Sequence, residues 1–212
     1  MSEPSLSRRV FLAGTSLVAL VPAGIALPRR AWASAKVGEA APTFSLNATT
    51  GKAVSLADQR GKIVVLEWTN HECPYVRKHY ESGNMQALQK EETGKGVVWL
   101  SVLSSAEGKQ GYSTPEQANA TRKKWNVVST ATLLDPKGEA GKLYEAKTTP
   151  HLFVINPEGK VVYMGAIDDK STSDPADIKT AKNYVKAALD EAMAGKPVTT
   201  VSTTPYGCSV KY

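Results

Sequence analysis

The sequence predicts an α/β fold with a mixed central sheet flanked by helices. Two largely apolar runs, 63–66 and 97–103, indicate strands that are buried on both faces. A helical segment between them completes a parallel β-α-β unit with a right-handed crossover. A third apolar run, 151–155, is joined by the turn 156–159 to a strand at 160–165, which predicts an antiparallel pair. Because both kinds of pairing occur, we expect a mixed sheet.

Shorter elements complete the predicted domain. A small hairpin of two strands, 43–46 and 52–54, opens it as an N-terminal extension. Thr114 before Pro115 supplies a cap and a first helical residue for a helix that runs to about Trp125. A short strand and a short helix follow at 131–134 and 139–144.

The closing helix has the clearest predicted start in the chain. Asp174 supplies a cap, Pro175 occupies the first helical position, and apolar residues follow at helical spacing. These positions are Ile178, Ala181, Val185, Ala188, Leu189 and Ala192. We expect one continuous helix that ends near Gly195, followed by an extended tail, residues 198–212, that carries Cys208.

Residues 1–35 resemble a twin-arginine export signal of bacteria. The pair Arg8-Arg9 precedes a moderately apolar stretch, which glycine and proline interrupt, and then small residues typical of a cleavage site. These interruptions argue against a stable membrane anchor, although an uncleaved N-terminal anchor is the alternative. We therefore expect a periplasmic protein with one domain at 36–197 and the tail. In such an oxidising compartment two cysteines can persist as a disulfide.

The composition is that of an ordinary soluble globular protein. The 212 residues carry a formal net charge of +6, but removal of the leader leaves 22 basic and 19 acidic residues. The sequence has no basic block, so nucleic acid is not an expected partner. It has no metal-ligand spacing, phosphate-binding loop or dinucleotide-binding motif, so we expect no metal and no cofactor.

Cys73 is the strongest candidate for a reactive residue. It stands between the first buried strand and a helix that Pro74 begins. The start of a helix offers unpaired N–H groups and a partial positive charge, and both favour a thiolate. Basic residues nearby are expected to lower the pKa of Cys73 further. They are His71, Arg77, Lys78 and His79. A purely structural cysteine is the alternative.

Several segments of the chain are similar to a known family. Residues 37–46 and 56–66 resemble the redoxin branch of the thioredoxin-like proteins, the alkyl hydroperoxide reductase/thiol-specific antioxidant family. A closer resemblance is to a thioredoxin-like group whose active turn reads Cys-Asn-His-Cys-Pro-Tyr-Val and whose end reads Gly-Cys-Ser-Ile-Lys-Trp. The corresponding segments here are 70–76 and 207–212. The resemblance implies a thioredoxin-like fold over residues 37–195.

The same resemblance implies roles for further residues. Thr149 and Pro150 correspond to the cis-proline loop that faces the active cysteine, where a substrate chain would dock. Independently of the resemblance, Arg77, one turn after Cys73, is expected to contribute to substrate docking. Cys208 corresponds to the cysteine of the tail. It would act either as the redox partner that attacks a sulfenic acid or mixed disulfide on Cys73, or as a structural partner that pins the tail.

Asn70 is the main departure from that group, because it replaces the first cysteine of the active turn. Without a Cys-x-x-Cys motif, the usual dithiol exchange is not available at this turn. Peroxiredoxins use Pro-x-x-x-Thr-x-x-Cys and a downstream arginine, whereas this chain has Leu66 and Asn70 at the two motif positions and no arginine after Arg122. Neither parent mechanism transfers intact.

Three polar residues near Cys73 each have two interpretations. Asn70 either hydrogen-bonds a substrate oxygen or simply forms the turn. His71 is either a base or hydrogen-bond donor near the thiol or an exposed loop residue. Glu67 is either a buried acid that transfers protons or a carboxylate at a strand end that reaches water. His151, next to Pro150, is expected to be packed rather than catalytic.

Taken together, these features predict a thiol–disulfide oxidoreductase that acts through Cys73 with Cys208 as the second thiol. One alternative is a thiol peroxidase in which Cys73 attacks a hydroperoxide. Another is a non-catalytic binding module with a structural disulfide. The expected partners are a protein thiol or disulfide, or a hydroperoxide, together with an unidentified reductant.

Overall fold

The computed structural model describes Met1 and residues 34–212. The predicted export signal at residues 1–35 falls almost wholly outside this part and stays a prediction. Within residues 34–212, no helix is both long and apolar enough to span a bilayer.

A seven-stranded mixed sheet forms the centre of the domain, which confirms the predicted fold class. The strands of the protein are β1 (Ser45–Ala48), β2 (Ala53–Ser55), β3 (Val64–Trp68), β4 (Val98–Leu103), β5 (Ala131–Leu134), β6 (Thr148–Thr149), β7 (His151–Ile155), β8 (Val161–Gly165) and β9 (Cys208–Ser209). The order in the sheet is β2-β1-β5-β4-β3-β7-β8, and β6 and β9 form a separate pair. β4 is parallel to β3 and β5, whereas β7 is antiparallel to β3 and β8.

Helices flank this sheet, and the two faces of β3 belong to different core clusters. The helices described in residues 34–212 are α1 (Pro74–Glu81), α2 (Asn84–Gly94), α3 (Pro115–Lys124), α4 (Glu139–Leu143) and α5 (Tyr184–Met193), with 3-10 helices at Ala57–Gln59 and Pro175–Lys179. Val64 and Leu66 join one cluster, whereas Val65 joins another with side chains from α1, α2 and α5. β3 is buried along its whole length, as its apolar sequence predicts.

The N-terminal hairpin forms as predicted and lengthens the main sheet, because β1 pairs with β5 as well as with β2. β3 runs two residues further than the apolar run, to Trp68. Glu67 therefore lies inside the central strand and not at its end.

The closing helix differs from the prediction of one continuous helix from Asp174. The chain forms the 3-10 helix Pro175–Lys179, then a break, and then α5. The break occurs where the N–H of Tyr184 donates to the carbonyl of Ile167 at 2.9 Å, which ties this stretch to the segment after β8. Asn183 caps α5. The buried residues of α5 are Val185, Ala188 and Leu189.

Candidate active site

Cys73 lies at the turn between β3 and α1, where the sequence predicts it. It is the N-cap residue of α1, with an extended backbone (φ −78°, ψ 123°), and Pro74 begins the helix. Its carbonyl accepts the N–H of Arg77 at 2.9 Å. The residue is 0% exposed. Its thiol is therefore held inside the protein, next to the free N–H groups of the first helical turn.

The loop that contains Thr149 and Pro150 packs against Cys73. The peptide bond between these two residues is cis. The Cys73 thiol donates a hydrogen bond to the carbonyl oxygen of Thr149 at 3.1 Å. The loop is thus a cis-proline loop that faces the candidate cysteine, as the resemblance implies.

Cys208 reaches the same loop from the tail. In the β6–β9 pair it lies opposite Thr149. This close approach requires glycine at position 207, because a Cβ atom on Gly207 would overlap the Thr149 carbonyl oxygen and the backbone has φ +121°. Both cysteines are free thiols, Cys73 buried and Cys208 half-buried.

The two thiols have pKa values shifted in opposite directions. Burial raises the pKa of Cys73, but hydrogen bonds to its sulfur outweigh that effect, and the pKa is lowered. The largest of these contributions comes from Cys208, and Thr149 and the N–H of Val76 add to it. Burial, and then the hydrogen bond and negative charge of Cys73, raise the pKa of Cys208 to about 12. Of the two thiols, Cys73 is therefore the one that ionises more readily.

The basic residues near Cys73 in sequence have other partners. Arg77 is exposed, and its Nε lies 2.8 Å from Oε1 of Glu81. Lys78 is buried, and its Nζ donates to the carbonyl of Lys170 at 2.9 Å. The leading causes of the lowered pKa of Cys73 are hydrogen bonds and include no cation. The predicted lowering by nearby cations is therefore not among the leading causes, and both that effect and the docking role of Arg77 stay predictions.

Asn70 is a buried residue whose hydrogen bonds help to form the active turn. It is 2% exposed. Its Oδ1 accepts the N–H of Glu72 at 2.8 Å, and its backbone carbonyl accepts the N–H of Cys73 at 3.0 Å. A Cβ atom on Gly111 would overlap the Asn70 side chain, so a glycine from another loop covers it. These contacts support the turn-forming interpretation, because Oδ1 and the backbone carbonyl both close the turn and the side chain is almost fully buried.

His71 is half-buried and lines a cavity of about 30 Å³ beside the active turn, together with Thr69, Tyr80 and Arg122. Such a space is large enough for a water molecule. The exposed-loop interpretation of His71 is therefore wrong, and its role at the thiol stays a prediction. His151 is packed as expected, 2% exposed.

Glu67 is fully buried, so its interpretation as a carboxylate that reaches water is wrong. The Tyr80 hydroxyl donates to its Oε1 at 2.7 Å, and the Trp99 indole donates to its Oε2 at 2.7 Å. Gln89 donates to Oε2 as well, at 3.1 Å. Burial raises the pKa of Glu67 although these hydrogen bonds oppose the shift. The sequence does not reveal this burial, because the donors come from α1, α2 and β4.

Tyr206 is a site residue that the sequence does not single out. Its hydroxyl donates to Oδ1 of Asp168 at 2.5 Å and lies 3.3 Å from Nε2 of His79. Nζ of Lys78 lies 4.0 Å from Asp168, and the side chains of these three partners are buried. This group fixes the tail to α1 two residues before Cys208. These residues lie far apart in the sequence and only the fold brings them together, so no local sequence pattern predicts the group.

Comparison with known proteins identifies the family. The AhpC/TSA family matches residues 37–164. This chain belongs to the AhpC/TSA family. It is 28% identical over 159 residues to the thiol-disulfide oxidoreductase ResA of Bacillus subtilis, covering 73% of this chain and 83% of the relative. It is 27% identical over 143 residues to the thioredoxin-like protein YneN of the same organism, covering 66% of this chain and 79% of that relative.

Solved structures agree with a thioredoxin-like fold. An uncharacterized conserved protein from Geobacillus kaustophilus matches with a TM-score of 0.73 and 25% identity, over 84% of this chain and 92% of the other. A hypothetical protein from Sinorhizobium meliloti matches with a TM-score of 0.71 and 24% identity, over 84% and 96%.

The AhpC/TSA match includes only one of the two thiols. It contains Cys73 and the cis-proline loop but ends at residue 164, before the tail. The thiol that lowers the pKa of Cys73 is therefore supplied by a segment outside the matched stretch. Among the described residues, no group of three or more His, Cys, Asp or Glu side chains could hold a metal ion.

Proposed function

We propose that this protein is a thiol–disulfide oxidoreductase whose redox pair is Cys73 and Cys208. The observation that carries the proposal is that both cysteines lie at Thr149 of the cis-proline loop: the Cys73 thiol donates to its carbonyl at 3.1 Å, and Cys208 is its partner in the β6–β9 pair. The pKa of Cys73 is lowered and that of Cys208 is raised, which agrees with a coupled pair. In the oxidised protein these sulfurs would form a disulfide, and a partner would exchange two electrons with it. The similarity to the relative named thiol-disulfide oxidoreductase ResA supports the same chemistry.

The departure at Asn70 agrees with this proposal. In the group that the sequence resembles, the active turn holds two cysteines. Here the asparagine completes the turn, and the tail brings the second thiol to the cis-proline loop that contacts Cys73. The Cys208 tail thus takes over the place of the missing cysteine as a redox partner.

A non-reducing peptide map in glutathione buffers of stepped redox ratio tests the proposal. We expect Cys73 and Cys208 to be joined in oxidising buffers and separate in reducing ones, within the range that the glutathione couple covers. We also expect Cys73→Ser and Cys208→Ser to abolish two-electron exchange with a dithiol substrate. A Cys73–Cys208 disulfide that resists reduction throughout the series would instead support the structural role.

The peroxidase alternative has less support at this site. Cys73 is 0% exposed, and its thiol already donates to Thr149. Arg122, the last arginine of the chain, donates to Ser129 at 2.8 Å and is not among the groups that lower the pKa of Cys73. Peroxide consumption that persists in Cys208→Ser and vanishes in Cys73→Ser would favour the peroxidase over our proposal.

We further propose export of the folded protein by the twin-arginine route, on the sequence of residues 1–35 alone. The oxidising compartment reached in this way would let the cysteine pair cycle between thiol and disulfide. Mass spectrometry of the mature N-terminus tests this step. A protein that retains Met1 outside the cytoplasm would contradict cleavage.

A further inference from the structure

The two candidate redox thiols differ in their access to a partner. Cys73 is 0% exposed, whereas Cys208 is half-buried. The tail that carries Cys208 pairs with β6, whose Thr149 carbonyl accepts the Cys73 thiol, so on this side the tail would cover Cys73. This cover depends on backbone pairing between β6 and β9 and not on the sulfur atoms. We therefore expect it in both redox states.

The tail is anchored before Cys208 by Tyr206. The hydroxyl of Tyr206 donates to buried Asp168. Its ring lies 5.9 Å from the ring of Tyr75, which belongs to α1. Nζ of Lys78 lies 5.8 Å from the centre of the same ring, within the range of a cation–π contact. The approach of the tail to the active turn is thus fixed by polar and aromatic contacts.

The tail is anchored again after Cys208 by Tyr212. Its hydroxyl donates to the carbonyl of Ala146 at 2.8 Å. The ring lies in a notch at the start of α4, where a Cβ atom on Gly138 or Gly141 would overlap it. Nζ of Lys142 lies 5.7 Å from the ring centre. With an aromatic anchor on each side, Cys208 stays in place over Cys73.

From this arrangement we propose that an external redox partner reaches the pair through Cys208, which carries the mixed disulfide, while Cys73 acts as the internal thiol. The inference rests on the proposed function and assigns the order of events at the same site. It reverses the roles expected from the sequence, in which the partner reacts with Cys73 and Cys208 resolves the product.

The proposed reduction has two steps. A thiolate of a dithiol partner attacks the Cys208 sulfur of the Cys73–Cys208 disulfide. A new S–S bond joins the partner to Cys208, the old bond breaks, and its electron pair leaves on Cys73 as a thiolate. The second thiolate of the partner then attacks the partner's own sulfur in the mixed disulfide. Cys208 leaves and takes up a proton, and the partner departs as a disulfide, having given up two electrons.

The electrostatics of the pair favour the same direction of attack. In thiol–disulfide exchange, the sulfur with the lower pKa is the better leaving group. Cys73 has the lowered pKa and Cys208 the raised one. The hydrogen bond from the Cys208 thiol is absent in the mixed disulfide, but Thr149 and the N–H of Val76 remain to stabilise a departing Cys73 thiolate. Attack on Cys73 would instead require entry to a buried sulfur and would expel Cys208, which lacks these donors.

Glutathione, a monothiol, tests the order directly. The oxidised full chain is mixed with reduced glutathione, quenched with acid at increasing times, and mapped for the glutathione adduct. We expect the earliest adduct on Cys208, with Cys73 free. If glutathione reduces the disulfide but the earliest adduct lies on Cys73, this inference is overturned and the proposed function stays intact. If neither cysteine forms an adduct because the disulfide resists reduction, the proposed function fails as well.

Displacement of the tail provides a second test, in the reduced protein. Gly207→Ala pushes β9 away from the Thr149 carbonyl, so we expect iodoacetamide to label Cys73 faster than in the unaltered protein. This rise is expected although Cys73 loses a hydrogen bond from Cys208 and ionises less. Gly94→Ala is the matched control, because a Cβ atom there meets nothing within 4 Å. Equal labelling rates of Cys73 in the two variants would show that the tail does not cover it, against the proposal.

Discussion

At the scale of single residues, the pKa of Cys73 depends on its immediate hydrogen-bond partners more than on its charged neighbours. Arg77, Lys78 and His79 follow it in α1, but Arg77 turns to solvent, and the other two side chains are buried near Asp168. The sulfur instead meets Cys208, Thr149 and an N–H of the first helical turn. Position at the start of a helix makes a thiolate possible, and the neighbouring thiol makes it favourable.

This account predicts the effect of Cys208→Ala on the ionisation of Cys73. The change removes the largest contribution that lowers the pKa of Cys73, while the burial that raises it remains. We expect the pKa of Cys73 to rise in the variant. A pH titration of the ultraviolet absorbance of the thiolate measures it, with Cys73→Ser as the blank. An unchanged or lower pKa would mean that Cys208 does not stabilise the thiolate.

At the scale of elements, the end of the domain shows how a helix start is chosen. Asp174 with Pro175 has the stronger sequence pattern, yet it begins only the short 3-10 helix. Asn183 caps α5, because its Oδ1 accepts the N–H of Lys186 at 2.8 Å. The second start prevails because Val185, the second residue of α5, is buried in the core, whereas no residue of the 3-10 helix is buried.

Substitution of each cap residue tests which of the two helix starts contributes more to the free energy of unfolding. We expect Asn183→Ala to lower the free energy of unfolding by about 1 kcal/mol, the usual cost of losing a helix cap. Asp174→Ala should cost less, because it caps an exposed element that supports none of the core. Urea denaturation of both variants measures the difference. A larger loss for Asp174→Ala would mean that the 3-10 helix stabilises the domain more than α5 does.

The same elements show which parts of the structure a sequence can predict. The strand before Cys73, the proline after it and the crossover to β4 are local patterns, and the structure confirms them. The break before α5, the burial of Glu67 and the anchor at Tyr206 depend on contacts between distant segments. Glu67, for example, is one polar residue in an apolar strand, and only its donors from α1, α2 and β4 make it a tolerable buried group.

At the scale of the whole molecule, the Cys73–Cys208 pair joins the first third of the chain to its end. The tail is held without a disulfide by β9, Tyr206 and Tyr212. A disulfide would therefore add little to the order of the folded protein. Its main effect would be to restrict the unfolded chain, for which the chain-entropy model gives about 5 kcal/mol for a loop of this size.

The gain in stability on oxidation should depend on pH. In the reduced folded protein the pKa of Cys73 is lowered, which stabilises that form above the unfolded thiol pKa of about 8.5. This stabilisation is lost as the pH falls through the lowered pKa. The oxidised protein has no thiolate to gain or lose. The oxidised protein's excess in free energy of unfolding over the reduced protein is its stability advantage. This advantage should therefore shrink as the pH rises from the lowered pKa of Cys73 to the unfolded value, by up to about 1.4 kcal/mol for each unit of pKa difference.

Urea denaturation of the oxidised and reduced protein, at several pH values below about 8.5, measures this advantage. Other titrating groups contribute nearly equally to both forms and cancel in the difference. The raised pKa of Cys208 acts only above the same limit, because below it that thiol stays protonated whether the chain is folded or not. An advantage that stays constant across the window would mean that the pKa of Cys73 is not lowered in the folded protein.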